Sequence, residues 1–393
     1  MIGVGDAGPT GGRPVPGAGS RATERECWIA LSLVLGVGPA GFALLLARYG
    51  SAAAAWRAGP AALEDLPMRS GQREAAGGDI PRPDAREVAR SLQHATERAG
   101  GRIVTALDDG YPPALRTLDP RPPTLFVIGP SSAFVERAVA IVGTRHASGY
   151  GISAATEIGD DLARAGVVVV SGLALGIDGA AHRAAVAAGR PSIAVLPSPI
   201  DRIYPPRHRP LARDLLRLGG AIVTEVPIGA SIGRPDFARR NRIIAGLAEA
   251  VVVIEAPDRS GALLTASAAS AIGRELYAVP GPIDALASRG CNRLIADHQA
   301  TLVTSSASLL RQIGLARGER PPTVNALSEV EGQILRRLFE RPGSIEELVD
   351  RTRQSPASVA SALAMLEARG LVNPFGGATF HPTLAAKRLA KVI

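Results

Sequence analysis

Two stretches combine residue types and spacing suited to holding a polyanion: Ala140-Ile-Val-Gly-Thr-Arg-His-Ala-Ser-Gly-Tyr-Gly151 and Val168-Val-Val-Ser-Gly-Leu-Ala-Leu-Gly-Ile-Asp178. In each, an apolar β-branched run stops at a Gly/Ser/Thr turn and a helical pattern follows. Such a loop directs backbone N–H groups and the positive end of a helix dipole outward, where an anion is stabilised. Gly143 allows close backbone approach, Thr144 and Ser148 offer hydroxyls, and Arg145 offers a planar fork matched to phosphate oxygens. Ser171-Gly172 closes the second strand, and Gly176-Ile-Asp178 opens a helix that carries His182 and Arg183. Asp178 and His182 stand four apart, so a dyad on one helix face is conceivable. The preferred reading is N-terminal capping by Asp178 and a structural contact for His182.

Three further segments extend the pattern. Arg234-Pro-Asp-Phe-Ala-Arg-Arg-Asn-Arg-Ile-Ile-Ala-Gly-Leu247 places Arg239, Arg240 and Arg242 at the start of a helix, against its dipole, where a phosphate chain would compensate them. Phe237 is available to stack on a base. Glu255-Ala-Pro-Asp-Arg-Ser-Gly-Ala-Leu-Leu-Thr-Ala266 is another strand end and helix start, with Ser260 and Gly261 at the turn, and Ala278-Val-Pro-Gly-Pro282 would close an edge. No GxxxxGK[ST] loop, convincing nucleophile–base pair or carboxylate cluster accompanies these segments, so the site reads as built to bind and not to react. No cofactor and no metal are implied.

The elements that must position these loops follow from periodicity. Strands are expected at Leu125–Ile128, Val139–Val142, Val167–Val170, Ser192–Leu196, Ala221–Thr224, Ala250–Ile254 and Leu276–Val279, with helices between most of them. The alternation predicts an α/β fold with a mostly parallel sheet covered on both faces, its ligand outside the carboxyl ends of the strands. Residues 1–22 read as a tail without a signal-peptide core, 23–100 as a helical domain, 101–313 as the α/β domain, 314–325 as a linker, and 326–393 as three helices and a β-wing, the outline of a winged helix. The apolar stretch Ile29–Ala47 is broken by Gly36-Val-Gly-Pro39 and predicts two short helices instead of a membrane span. The chain carries a formal net charge of +8, with Lys387 and Lys391 its only lysines, which favours an anionic partner. Cys27 and Cys291 stand far apart, as expected of a reducing cytoplasm.

The ordered motifs resemble the DNA processing protein A family (DprA, also called Smf). The likeness runs through Tyr111-Pro112, Ile141-Val-Gly-Thr-Arg145, Ser148-Gly-Tyr-Gly151, Ser171-Gly172, Gly176-Ile-Asp178, Ala181-His182, Ala194-Val-Leu196, Tyr204-Pro205, Arg240-Asn-Arg-Ile-Ile-Ala-Gly-Leu247, Glu255-Ala256, Ser260-Gly261 and Val279-Pro-Gly281. The resemblance implies an extended Rossmann-like domain that binds single-stranded DNA without cutting it, acts as a homodimer and loads the RecA recombinase during natural transformation. Carried over by position, Arg145 and the Arg240-Asn241-Arg242 turn would hold phosphates, Arg234 and Phe237 would flank the strand, and Ser171-Gly172 would supply backbone donors. The N-terminal unit looks like the family's SAM-like helical domain. Pro197-Ser-Pro199 departs from the family's Gly-x-Gly turn, so this loop is not expected to approach DNA.

Two other readings compete. A nucleoside-monophosphate phosphoribohydrolase of the lysine-decarboxylase-like family would need Pro-Gly-Gly-x-Gly-Thr-x-x-Glu, where this chain has Glu255-Ala-Pro-Asp-Arg-Ser-Gly. A duplex-DNA regulator would use Pro356–Arg369 as its recognition helix, yet Arg369 is the only basic residue in that segment.

Overall fold

The computed structural model describes residues 22–34, 37–64, 66, 84–315, 327–369, 371–375, 379–383 and 386. The expected tail through residue 21, the loop at 67–83 and the linker from residue 316 onward lie outside these residues. Contacts divide the chain into two units between His94 and Ala95.

In the first unit, Thr23 caps α1 (Glu24–Ser32): its hydroxyl accepts from Glu26 N at 3.2 Å while the Glu26 carboxylate accepts from Thr23 N at 2.7 Å. This reciprocal pairing is what a Thr-x-x-Glu spacing offers a helix start. α2 (Gly38–Tyr49) begins with Pro39 in its first turn, and α3 (Ala52–Ala58) and α4 (Ala61–Glu64) follow. The Glu24 carboxylate accepts from Ala52 N and Ala53 N at 2.7 and 2.9 Å, placing a negative charge at the positive end of α3. Trp28 packs on Phe42 with ring centroids 4.8 Å apart. Two short helices therefore flank the Gly-Val-Gly-Pro segment, and no helix among the described residues is long and apolar enough to cross a membrane. α5 (Ala85–Arg98) spans the division between the units.

Among the described residues the larger sheet of the second unit has nine strands: β1 (Arg102–Thr105), β2 (Thr124–Ile128), β3 (Ala138–Val142), β4 (Val168–Ser171), β5 (Ser192–Val195), β6 (Ala221–Thr224), β7 (Ala250–Val253), β8 (Glu275–Ala278) and β9 (Thr301–Leu302), in the order β1-β2-β6-β5-β4-β3-β7-β8-β9. β6 through β9 of that order pair in parallel, whereas β1, β2 and β6 pair antiparallel. β3 and β7 are Ala/Val/Ile runs and β4 is three valines closed by Ser171, all buried at every position, as strands covered on both faces must be. The seven expected strands are present. β1 and β9 were not among the expected strands; the two exposed residues of β9 carry no periodic signal.

The order of strands locates the ligand crevice. From β3 the chain steps one way through β4, β5 and β6, then returns to place β7, β8 and β9 on the other side of β3. Right-handed crossovers in opposite directions put their helices on opposite faces. Accordingly α12 (Ser306–Gln312), α6 (Gly149–Arg164), α7 (Ile177–Ala187) and α8 (Arg209–Arg217) pack in succession, and α9 (Arg234–Leu247) packs with α10 (Gly261–Ala271). α11 (Arg289–Ala296) packs on β8. The loops after β3 and β7 diverge, and the gap between them is where an open α/β sheet binds ligands.

At the C-terminal end, α13 (Glu329–Glu340), β10 (Gly343–Ser344), α14 (Ile345–Thr352), α15 (Pro356–Ala368), β11 (Val372–Phe375) and β12 (Thr379–Pro382) form three helices and a sheet in the order β10-β12-β11. Ile334, Leu338, Leu348, Val359, Leu363 and Leu366 fill their core. This is the winged-helix outline read from the sequence.

Candidate nucleic-acid interface

A cavity of about 410 Å³ opens at the divergence of the β3 and β7 loops. Its walls are the Gly143–His146 loop, the Pro257–Ala262 segment that enters α10, and the side of α9 carrying Phe237, Arg240 and Asn241. The β3 loop is fixed by its backbone: Thr144 N donates to Glu255 O at 2.7 Å, and Thr144 O accepts from Ile177 N at 3.3 Å. A Cβ on Gly143 would overlap Ile177, and one on Gly176, whose φ is +72°, would overlap the Thr144 carbonyl. Both glycines serve this packing.

Arg145 is exposed, and its guanidinium lies over the Phe237 ring, 4.8 Å from the centroid. Tyr204 meets the same ring edge-on at 5.9 Å. The three form a cationic, aromatic rim of the kind on which bases stack. Arg259 is a second exposed guanidinium on the lining, and among the described residues neither Arg145 nor Arg259 has a carboxylate partner. Ser260 caps α10 by accepting from Ala262 N at 3.2 Å, so with Gly261 it sets the positive end of that helix at the cavity wall.

The floor is Arg240, only 7 % exposed. Its Nη1 donates to Val195 O at 2.8 Å and its Nε has no partner. Burial pulls its pKa down to about 10, countered by Asp178, so it stays cationic at neutral pH. Gly172 makes room for this guanidinium: a Cβ there would overlap it. The buried Asp178 carboxyl is pushed up by desolvation against the pull of Arg240, and it accepts from Gly172 N at 3.1 Å.

Several residues expected to meet the ligand are engaged elsewhere. Ser148 gives its N–H and its hydroxyl to the Glu255 carboxylate, at 2.9 and 2.5 Å. The anion position at the start of α6 is thus filled from within the protein, and Gly151 is small because a Cβ would overlap that carboxylate. Ser171 is fully buried and donates to Ile141 O at 2.6 Å, and the Gly172 N–H goes to Asp178. The Ser171-Gly172 turn therefore presents no free donor to a ligand. Asn241 donates to Gly261 O at 3.1 Å, bracing one wall against another. Arg242 lies outside the cavity lining; it is ion-paired with Glu225 and donates to Pro120 O at 2.5 Å. Arg234 opens α9, and only its backbone belongs to the described residues. Gly143, Thr144, Arg145, Phe237, Arg240, Asn241, Ser260 and Gly261 are thus gathered at the cavity; Arg259 and His146 in the lining, and Tyr204 behind Phe237, were missed as site residues. Arg259 had a signal, lying inside the Glu255–Ala266 motif, and Tyr204 lay inside a motif read only for family likeness.

Asp178 and His182 form no dyad. Gly176, not Asp178, is the N-cap of α7, and His182 Nδ1 pairs with Ser192 Oγ at 2.9 Å. Pro197, Ser198 and Pro199 are buried and absent from the lining. Burial depresses the His182 pKa from 6.5 to about 3. Because the folded value is lowered, its contribution to stability is full above 6.5 and is lost as pH falls toward 3. Urea unfolding is expected to show His182→Gln losing less stability than wild type on acidification, by up to about 1.4 kcal/mol per pH unit within that window.

An open parallel sheet with a cationic, aromatic-rimmed cavity at its switch point, followed by a winged helix, defines a Rossmann-like protein equipped for a polyanion. The chain belongs to the DNA recombination-mediator protein A family: that family's model matches residues 102–314, and the model of the DprA winged helix domain matches 318–378. It is 31 % identical to Protein Smf of Synechocystis over 402 residues, covering 91 % of this chain and 99 % of that one. It resembles the X-ray structure of DprA from Streptococcus pneumoniae with a TM-score of 0.57 and 29 % identity, covering 75 % of this chain and 99 % of that one. It also resembles DNA processing protein A from Helicobacter pylori, described for its single-stranded DNA binding mode, with a TM-score of 0.50 and 25 % identity over 55 % of this chain and 97 % of that one.

Proposed function

We propose that this protein binds single-stranded DNA at the switch-point cavity without cutting it, and that as a homodimer it passes the strand to RecA recombinase. The observation that carries the reading is the pairing of two exposed arginines without a carboxylate partner among the described residues, Arg145 and Arg259, with the Phe237 ring at one cavity, Tyr204 packing edge-on against that ring. Cations that track phosphates and aromatic faces that stack on any base give affinity with little sequence preference. Non-catalytic binding is favoured because the lining holds a single carboxylate, Asp178, which is buried beside Arg240 and turned to Gly172 N. The relatives support the strand as ligand through the Helicobacter pylori protein, and the family's role as a recombination mediator supports delivery to RecA. The winged helix is less suited to reading duplex, since the exposed face of α15 is Ala357, Ala360, Ser361, Ala364 and Met365, with Glu367 as the helix's only charge.

Fluorescence anisotropy of a labelled strand against its duplex, across a salt series, tests the reading. Wild type should prefer the single strand, with affinity falling steeply as salt rises. Arg145→Ala should weaken every sequence alike, by about 1–3 kcal/mol for a charge-assisted contact. Duplex preference unaffected by Arg145→Ala would overturn it.

A further inference from the structure

We propose that the cavity is a complete site for one nucleotide unit, so that a free 5′-mononucleotide occupies it and competes with the strand. The inference rests on the single-strand reading and adds a small-molecule ligand to the same site. A backbone-tracking groove would need only a charged surface. Here the space is instead walled on three sides, by the β3 loop, the α10 entrance and α9, and its volume of about 410 Å³ is that of a small-ligand pocket.

The walls divide by chemistry as a nucleotide does. Arg240 lies at the floor, 7 % exposed, with its Nε unpartnered. That Nε is itself shielded from the cavity, so what the floor offers an anion is the guanidinium's charge, desolvated and hence little screened. Arg145, Arg259 and the α10 N-terminus add positive charge around it, against the single carboxylate of Asp178 in the lining. The opposite character comes from Leu264 and Ala174, with the Phe237 ring at the mouth, an apolar surface for a base or sugar. Leu264 is 54 % exposed, a large apolar side chain about half uncovered at the edge of a charged cavity. One phosphate and one base would therefore both find complementary surface without help from neighbouring nucleotides.

Gly261 supplies the variant. Gly143, Gly151, Gly172 and Gly176 are each required by the protein's own packing, but a Cβ on Gly261 would meet nothing within 4 Å. Gly261 is an exposed residue of the lining, so Gly261→Leu adds bulk at the cavity wall without disturbing that packing, and it adds a better helix former at the start of α10.

The experiment is calorimetric titration of the full chain with 5′-dAMP, deoxyadenosine and inorganic phosphate, together with displacement of a labelled strand at matched ionic strength. The expected result is one 5′-dAMP site per chain, roughly tenfold or more tighter than either fragment, with displacement of the strand and loss of dAMP binding in Gly261→Leu. If the strand binds while 5′-dAMP displaces it no better than phosphate does, the inference fails and the single-strand reading stands. Binding of 5′-dAMP that leaves strand affinity unchanged, or that survives Gly261→Leu intact in a variant whose unfolding matches wild type, also overturns it. If the strand itself does not bind, the earlier reading fails, whatever the mononucleotide does.

Discussion

Arg242→Ala is expected to lower the stability of the fold by about 3–5 kcal/mol, the usual cost of orphaning a buried charge, while the molecules that remain folded bind single strands nearly as wild type does. The Arg242 and Glu225 side chains are 17 % and 11 % exposed, and the guanidinium bridges Glu225 to the Pro120 carbonyl. Burial already pushes the Glu225 carboxyl above its ordinary value of 4.5 despite Arg242, and its Oε2 has no partner. Removing the arginine leaves that carboxylate desolvated and unpaired. A carboxyl whose folded pKa is raised stabilises below 4.5 and loses that contribution as pH rises through the folded value. The variant's deficit should therefore shrink on acidification. Arg242→Met combined with Glu225→Gln should recover most of the loss at neutral pH, since replacing both charges avoids the orphan. Urea unfolding gives the stability and anisotropy the affinity. A variant that unfolds like wild type but binds weakly would return Arg242 to the phosphate contacts.

Arg242 also shows where sequence reading runs out. Its residue type and place at a helix start fit a phosphate contact as well as those of Arg145 do. What separates them is Glu225, 17 residues earlier at the end of β6, which the fold carries onto Arg242 but not onto Arg145. The same holds for Ser148, whose acceptor Glu255 is 107 residues away. Local pattern does determine the strands, because β-branched runs such as Val139–Val142 and Val167–Val170 have few other uses. It also locates the loops, because a strand end, a glycine and a helix start are adjacent in the chain. Which polar group fills an anion position is a long-range matter, settled by which carboxylates the sheet order delivers to the same edge. The glycines divide in the same way: Gly143 reads as close approach for a ligand and Gly172 as a backbone donor, but the space beside them is taken by Ile177 and Arg240.

The contact between Gly172 and Arg240 supports the second large effect. Arg240→Ala is expected to cost about 3–5 kcal/mol by leaving Asp178 buried without its counter-charge, and to weaken nucleotide binding by removing the cavity floor. Stability loss alone would not distinguish this arrangement from ordinary core damage, but a double-mutant cycle would. Gly172→Ala in the wild-type background drives a Cβ into the guanidinium, and because that guanidinium is held by Val195 O at 2.8 Å it cannot simply swing aside. Gly172 has no positive φ, so its backbone accepts alanine once the guanidinium is gone. The same substitution in Arg240→Ala should thus be nearly neutral, and the coupling energy should fall at the upper end of the roughly 0.5–3 kcal/mol seen for residues in contact. Additive losses would mean that Gly172 is small for some other reason and that Arg240 is free to move. In that case the guanidinium would act as a mobile contact to the strand and would no longer be a preformed positive charge at the cavity floor.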